Sequence, residues 1–262
     1  MGSLSDYSED ALIDHVLGVS AYTPITTLYI GLSTADPLDD ATGLTEPSGM
    51  SYVRQTIAFS AAASRAVIQN GEVAFPEATG DWTTITHYGI FDAETNGNML
   101  AHGSLNPTKD VPSGKTIKIP DTQTQISITS GAMSTYLADA LMDFMFRDQA
   151  YTQPSTFVAL IETTEVVDAD DGTTIDELDM TDYAREATGT WGASSGGTST
   201  NDALIDFGAL TGTGETITSA AIVDNATTAL GNVLFYDNAL NVVVDTGDNV
   251  SYAAGQFSIN LS

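Results

Sequence analysis

Residues 80–92 read Gly-Asp-Trp-Thr-Thr-Ile-Thr-His-Tyr-Gly-Ile-Phe-Asp. Side chains alternate through Ile85, His87, Gly89 and Phe91 on one face and Thr84, Thr86, Tyr88 and Ile90 on the other. A two-residue period is that of a strand. Toward Asp92 both faces are apolar or small, which places the strand in the middle of a β-structure. The turn after it, residues 93–98, carries Asn96-Gly97, a strong hairpin signal. The return strand is expected over Met99 to Leu105.

The chain contains this pattern twice. Gly212 to Asp224 repeats it at an offset of 132, with Ile217-Thr218 for Ile85-Thr86 and Ile222-Val223-Asp224 for Ile90-Phe91-Asp92. Gly97-Asn98-Met99-Leu100 has its counterpart in Gly231-Asn232-Val233-Leu234. Other matches keep the same order: the segment from Ser134 echoes the one from Ser5, Ala150-Tyr151-Thr152 echoes Ala21-Tyr22-Thr23, Tyr183-Ala-Arg185 echoes Tyr52-Val-Arg54, and Gln256-Phe-Ser-Ile259 echoes Gln125-Ile-Ser-Ile128. Several unrelated matches in one order are the mark of an internal repeat. The boundary falls near Ser130-Gly131, giving expected domains over 1–130 and 131–262.

Each repeat reads as one helix followed by about seven short strands with turn-rich joins. By strand number and spacing this is a mainly β chain of two tandem β-sandwich domains, each with one N-terminal α-helix. In the first repeat the helix is expected over Ser5 to Gly18. Asp6 and Glu9 have capping-box spacing, and Tyr7, Ala11, Leu12, His15 and Val16 form an apolar stripe. Strands are expected over Thr27–Ser33 and Ser51–Ser60, a loop over Ala35–Met50, and a hairpin around Asn70-Gly71 within Ala66–Phe75. Closing strands follow over Lys115–Ile119 and Thr124–Thr129.

Composition narrows the function. The 262 residues hold 7 Lys and Arg against 35 Asp and Glu, a net charge of −28. Residues 1–130 carry 5 basic and 15 acidic side chains, and residues 131–262 carry 2 and 20. Such a surface repels phosphate, so nucleic acid is not an expected partner. Molar salt shortens the Debye length to about 3 Å and relieves the self-repulsion. Abundant aspartate with few lysines therefore reads as adaptation to high salt. There is no cysteine, hence no disulfide or thiolate chemistry. The N-terminus lacks an apolar run behind basic residues, so no Sec-type signal peptide is expected. No window is long and apolar enough to span a bilayer.

The first repeat resembles a family of tailed-phage virion proteins usually described as tail fibre or minor tail proteins. The residues that carry the resemblance are Leu28-Tyr-Ile-Gly-Leu-Ser-Thr-Ala-Asp-Pro37, Glu46-Pro-Ser-Gly49, Tyr52-Val-Arg54, Phe75-Pro-Glu-Ala-Thr-Gly-Asp-Trp82, Ile85-Thr-His-Tyr-Gly-Ile-Phe-Asp92 and Gly97-Asn-Met-Leu100. The likeness covers about residues 5–129. The second repeat keeps the layout but has Gly214 and Ser219 where Trp82 and His87 stand, as a diverged duplicate would. The resemblance implies a non-enzymatic virion building block, docking to other virion proteins and to copies of itself. A place on the tail, a capsid decoration and a host-surface receptor-binding module are all compatible with it. A salt-loving host is the expectation from charge.

Catalytic and cofactor signatures are missing. No Gly-x-Ser-x-Gly elbow, phosphate loop or His-Glu-x-x-His motif occurs. The histidines are His15, His87 and His102, all in the first repeat. His15 belongs to the helix stripe, whereas His87 and His102 can face each other across the central hairpin. With Asp92 they would offer metal donors, against the simpler reading of a hydrogen-bonded pair in a sheet. The loop 168–179 tests poorly as a calcium loop. Asp168, Asp170 and Asp179 fall at positions 1, 3 and 12, but Gly172 falls at 5 where position 6 is required. These three acids are weak candidates for a structural Ca or Mg, and no cofactor is expected. Trp82 reads as core or hairpin packing and also as an interface candidate, because Pro76 and Gly80 bracket a loop that a sandwich would expose. His87 and Tyr88 beside it complete that set.

Overall fold

The computed structural model describes residues 2–128, 133–162 and 165–261. The chain is mainly β, of the β-sandwich class, with a helix at the start of each repeat. It divides into two compact units. One takes in Met1–Glu9, Thr23–Thr129 and Asp139–Tyr151; the other takes in Asp10–Tyr22, Ser130–Ala138 and Thr152–Ser262. Each unit thus contains the C-terminal part of the helix that opens the other repeat. The repeat boundary at Ser130-Gly131 lies outside the described residues.

The first repeat runs β1 (Gly2–Leu4), α1 (Asp6–Val16), β2 (Leu28–Ser33), β3 (Gln55–Ile57), β4 (Ala66–Ile68), β5 (Val73–Ala74), β6 (Thr84–Phe91), β7 (Met99–Asp110), β8 (Lys118–Ile119) and β9 (Gln125–Ser127). One sheet has the order β3-β2-β6-β7-β1-β9-β4, and β5 pairs with β8 apart from it. All pairings are antiparallel except β1 with β9. The stretch quoted first is β6, between β2 and β7. Asn96 and Gly97 take the positive φ that the Asn-Gly signal requires, 57° and 70°, within a longer turn that Asp92 N closes on Asn98 O. A Cβ at Gly97 would lie 2.2 Å from Asp92 Oδ1, so the turn needs glycine for space as well as for φ.

The second repeat runs α2 (Thr135–Arg147), β10 (Phe157–Ile161), β11 (Glu186–Ala187), β12 (Thr198–Thr200), β13 (Ile205–Ala209), β14 (Glu215–Ile217), β15 (Ser219–Val223), β16 (Val233–Asp237), β17 (Val242–Val244), β18 (Asn249–Tyr252) and β19 (Ser258–Asn260). Its main sheet is β11-β10-β15-β16, with pairs β12-β19, β13-β18 and β14-β17. β10 and β15 correspond to β2 and β6. Both are buried on two faces. Val158, Leu160 and Ala220 pack with Leu178, Ile205 and Phe207, while Ala159, Ile161, Ala221 and Val223 pack with Val166 and Val233.

The helices begin alike. Ser5 Oγ accepts from Ser8 N at 3.4 Å and donates to Met99 O, and Ser134 Oγ accepts from Leu137 N at 3.1 Å and donates to Val233 O. The N-cap is therefore the serine, one residue before the Asp6 that the capping-box spacing suggests. Further along, each helix presents two aspartates to a tight loop. In one unit Asp139 and Asp143 of α2 accept from Arg65 N at 2.6 Å and Ala62 N at 2.7 Å. In the other Asp10 and Asp14 of α1 accept from Gly197 N at 2.9 Å and Ser194 N at 2.7 Å. Carboxylate acceptors on backbone N–H groups are among the stronger hydrogen bonds.

Two local expectations need correction. Ala66–Phe75 is not a hairpin: β4 pairs with β9 and β5 with β8. The tight Asn-Gly turn needs positive φ at both residues, and here Gly71 alone has it, at 95°. Asn70 N instead donates to Ala58 O. The strand expected over Ser51–Ser60 shrinks to β3: at its start Ser51 has positive φ and Tyr52 N closes a turn on Gly49 O, and at its end Ser60 N bonds to Ile68 O of β4.

The repeats differ by a volume exchange at the strand pairing. Gly31 and Gly89 are cross-strand partners, and an added Cβ would lie 3.0 Å from the Phe91 ring at Gly31 and 2.8 Å at Gly89. The equivalent pair in the second repeat is Ala159 and Ala221, and the residue equivalent to Phe91 is Val223. The large ring is the nearest obstacle at Gly89, whereas at Gly31 Glu46 Oε1, 2.6 Å from an added Cβ, crowds the site before the ring does; the smaller valine relieves the ring's share. Gly89→Ala is expected to destabilise the chain by about 1–3 kcal/mol through overpacking. Adding Phe91→Val should recover part of that loss, as read by urea unfolding of the single and double variants. Equal losses in the two variants would contradict the exchange.

Candidate functional site

The turn of the β6–β7 hairpin is held from below by Arg54. Its Nε and Nη2 donate to Glu46 at 2.7–3.2 Å. Its Nη1 donates to Ala93 O at 3.0 Å and Asn96 O at 2.7 Å, both in the turn. Its guanidinium carbon lies 3.4 Å from the centroid of the Phe91 ring. Tyr52 OH donates to Glu46 Oε1 at 2.6 Å and accepts from Leu32 N at 2.8 Å. One arginine, one glutamate and one tyrosine therefore fasten the 46–54 loop to β2 and to the hairpin turn. Asp92 finishes the turn by accepting from both nitrogens of Asn98 at 2.7 Å.

The second repeat rebuilds the polar part of this cluster residue for residue, with Val223 in place of the Phe91 ring. Arg185 donates to Glu177 at 2.7–3.2 Å and to Asn225 O and Leu230 O at 2.8 Å. Tyr183 OH donates to Glu177 Oε2 at 2.9 Å and accepts from Leu160 N at 2.9 Å. Asp224 accepts from Asn232 as Asp92 does from Asn98. The ion pair is deeper here: the side chains of Arg185 and Glu177 are 0% and 3% exposed, against 7% and 22% for Arg54 and Glu46. Burial, followed by the charge of the adjoining glutamate, raises both Tyr52 and Tyr183 well above the ordinary phenol range.

The histidine pair lies on one face of the sheet, since His87 pairs with Ser104 and His102 with Gly89. Loop carboxylates cover it. His102 Nε2 is 2.7 Å from Asp39 Oδ1, and Asp36 lies 3.9 Å from His87 and 4.0 Å from His102. Asp92 is not part of the group; it is engaged with Asn98. His15 is buried and its Nδ1 accepts from Tyr22 N at 3.2 Å. Trp82 is 2% exposed, stands edge-on to Tyr52 at 5.3 Å and donates Nε1 to Met50 O at 3.0 Å. Tyr88 is 3% exposed. Of the three interface candidates only His87 keeps appreciable exposure, so Trp82 shapes the loop around it from within.

The acidic loop 168–179 belongs to the arginine cluster. It supplies Glu177, and Gly172 O accepts from Arg185 Nη2 at 3.3 Å. Asp168 Oδ1 accepts from Tyr236 OH, and Asp170 accepts from Val167 N at 2.8 Å and Thr174 Oγ1 at 3.0 Å. Asp179 N donates to Glu215 Oε2. Among the described residues no three His, Asp or Glu side chains are grouped to hold a metal ion. Glu162 is pushed up to about 7 by desolvation, then by its hydrogen bond with Glu215 and the charges of Glu215, Asp176 and Asp179.

Glu46 and Glu177 are the functional partners that sequence reading missed. Their signal was available: each stands eight residues before the repeated Tyr-x-Arg arginine.

Comparison with known families bears on this duplicated arrangement. A family profile described as podophage GP4 fiber I protein gp80 matches the chain twice, over residues 3–127 and 132–260. No curated protein matches the chain.

The buried phenols set an alkaline limit. Tyr88 and Tyr252 are each pushed up to about 12 by burial, and Tyr52 and Tyr183 are raised further. A pKa raised in the folded state gives stability that is complete below the ordinary value of about 10 and is lost as pH rises past it. In a spectrophotometric titration these four of the ten tyrosines are expected to ionise only together with unfolding, between about pH 10 and 12 or above. Reversible ionisation of all ten on a folded chain would contradict the burial.

Proposed function

Because the chain belongs to the podophage GP4 fiber I protein family and is a phage virion fibre protein, we propose that it is a non-enzymatic building block that docks to other virion proteins through both repeats. The observation that carries this reading is the use made of its buried polar groups. Arg54, Glu46 and Tyr52, and again Arg185, Glu177 and Tyr183, are consumed in holding loops to turns. A catalytic group must be free to meet a substrate. These groups instead stiffen the ends of two hairpins, as a part that carries neighbours requires.

The two repeats offer different surfaces on one framework. Leu38, Met50 and Val53 are exposed in the first, and Leu204, Leu230, Val242 and Val243 in the second. Exposed apolar groups at separate places suit different neighbours in an assembly. Tail attachment is the favoured position, because the family is one of fibres. The charge of −28 further supports a virus whose host lives in concentrated salt.

Mass spectrometry of purified particles is expected to find the chain in fixed proportion to the other tail proteins; its absence from particles would end this reading. Salt dependence is a second check. The raised Glu162 favours the protonated form, so its contribution is complete below its ordinary 4.5 and is lost as pH rises through about 7. At pH 8 and low salt Glu162→Gln is expected to raise the melting temperature, and molar KCl should reduce that gain by screening the charges of Glu215, Asp176 and Asp179 while leaving the share due to desolvation. A variant with no gain at low salt would count against charge repulsion at this position.

A further inference from the structure

All three lysines of the chain lie within ten residues: Lys109, Lys115 and Lys118. The four arginines are engaged elsewhere. Arg54 and Arg185 are buried in their glutamate clusters, Arg147 pairs with Asp143, and Arg65 Nε donates to Ile128 O. The lysines of a strongly acidic molecule are thus gathered in one stretch of the sequence, and two of them meet in space. Lys109 and Lys118 line a cleft of about 210 Å³ between the far end of β7 and β8. Leu105, Pro107, Ile117, Ile119 and Pro120 give it aliphatic walls, and Ser104, Asn106 and Gln123 add hydroxyl and amide groups. No aspartate or glutamate lines it, although acids outnumber bases fivefold in the chain. Tyr88, 3% exposed, also lines it, and burial pushes its phenol up to about 12.

These three kinds of group select a ligand class. The cations call for an anion. The aliphatic walls exceed what a bare inorganic anion can use. The amides and hydroxyl ask for several polar atoms on the ligand. The cleft is smaller than the roughly 300–1,000 Å³ of pockets for larger ligands, so it takes about one ring. We propose that the cleft binds a carboxylated sugar residue, of the uronate kind, from an acidic glycan. The sugar's C–H face would lie on the proline and isoleucine walls, its hydroxyls on Asn106, Ser104 and Gln123, and its carboxylate between Lys109 and Lys118. Lys118 already pairs with Glu72 at 2.7 Å, but both side chains are about half exposed and water competes for them. Lys109 has no carboxylate partner among the described residues.

The second repeat lacks the site. Ala220 occupies the position of Tyr88, and residues 131–262 contain no lysine. Duplication thus kept the framework twice and placed this cleft in one copy. The inference does not depend on how the chain docks in the particle.

Titration calorimetry on the full chain tests it, with oligogalacturonate against its methyl-esterified form, sodium acetate and sodium sulfate. The acid oligomer is expected to bind at least about tenfold more tightly than each of the others. Lys109→Gln with Lys118→Gln should remove that preference while leaving the melting temperature and incorporation into particles unchanged. Equal affinity for the acid and ester forms would overturn the proposal. So would unaltered binding by the double variant, or sulfate binding as tightly as the oligomer. If the lysine changes alter sedimentation of the chain with itself and not oligomer binding, the cleft receives acidic loops of a second copy and the proposal fails. Loss of the chain from particles with oligomer binding intact would instead fault the docking role alone.

Discussion

An arginine taken out of water and surrounded by a carboxylate, a phenol-bound oxygen and two turn carbonyls is the constraint on which each repeat depends. A buried guanidinium is costly unless nearly all its N–H groups find acceptors. Arg185 meets that demand through Glu177, Asn225, Leu230 and Gly172 at once. Its acceptors come from separate parts of the chain, so satisfying one side chain fixes the long loop, the hairpin turn and, through Tyr183, the central strand. Lysine could not replace it, because a single ammonium cannot reach acceptors in such different directions.

The polar groups of this cluster have been kept through duplication, while the apolar groups packed on it have drifted. The glutamate, tyrosine, arginine, turn aspartate and turn asparagine recur at matching positions. Phe91 against Gly31 and Gly89 has become Val223 against Ala159 and Ala221, a change in side chains that leaves the filled volume similar. The histidines, Trp82 and all the lysines have no equivalents. The framework is therefore one solution used twice, and the surfaces are two. A fibre component gains from that separation, because a stiff support can be retained while each copy meets its own neighbour.

The period of two, the Asn96-Gly97 turn and the ordered internal matches made the mainly β class, the opening helices and the central hairpin readable from residues alone. Such features are local, and local physics decides them. Asn70-Gly71 was misread because the same dipeptide serves a hairpin only when both residues take positive φ, which distant pairing of β4 with β9 and β5 with β8 prevents. For Trp82 the flanking Pro76 and Gly80 left packing and an interface both open, and Tyr52 and Met50 enclose it. By its spacing the acidic loop 168–179 read only as a poor calcium loop. Its Glu177 is buried because an arginine eight residues on requires a partner, a pairing that hydropathy cannot reveal. The exchange of helix ends between units was equally hidden, since Asp10, Asp14, Asp139 and Asp143 resemble any exposed acids of a helix.

A double-mutant cycle on the deeper pair addresses the central claim most directly. Arg185→Met and Glu177→Leu would be made singly and together in the full chain and unfolded in denaturant. Each single change should cost about 3–5 kcal/mol by stranding a buried charge, and the double change little more than either alone. If the two single costs are small, or simply add, the buried pair does not hold the repeat together.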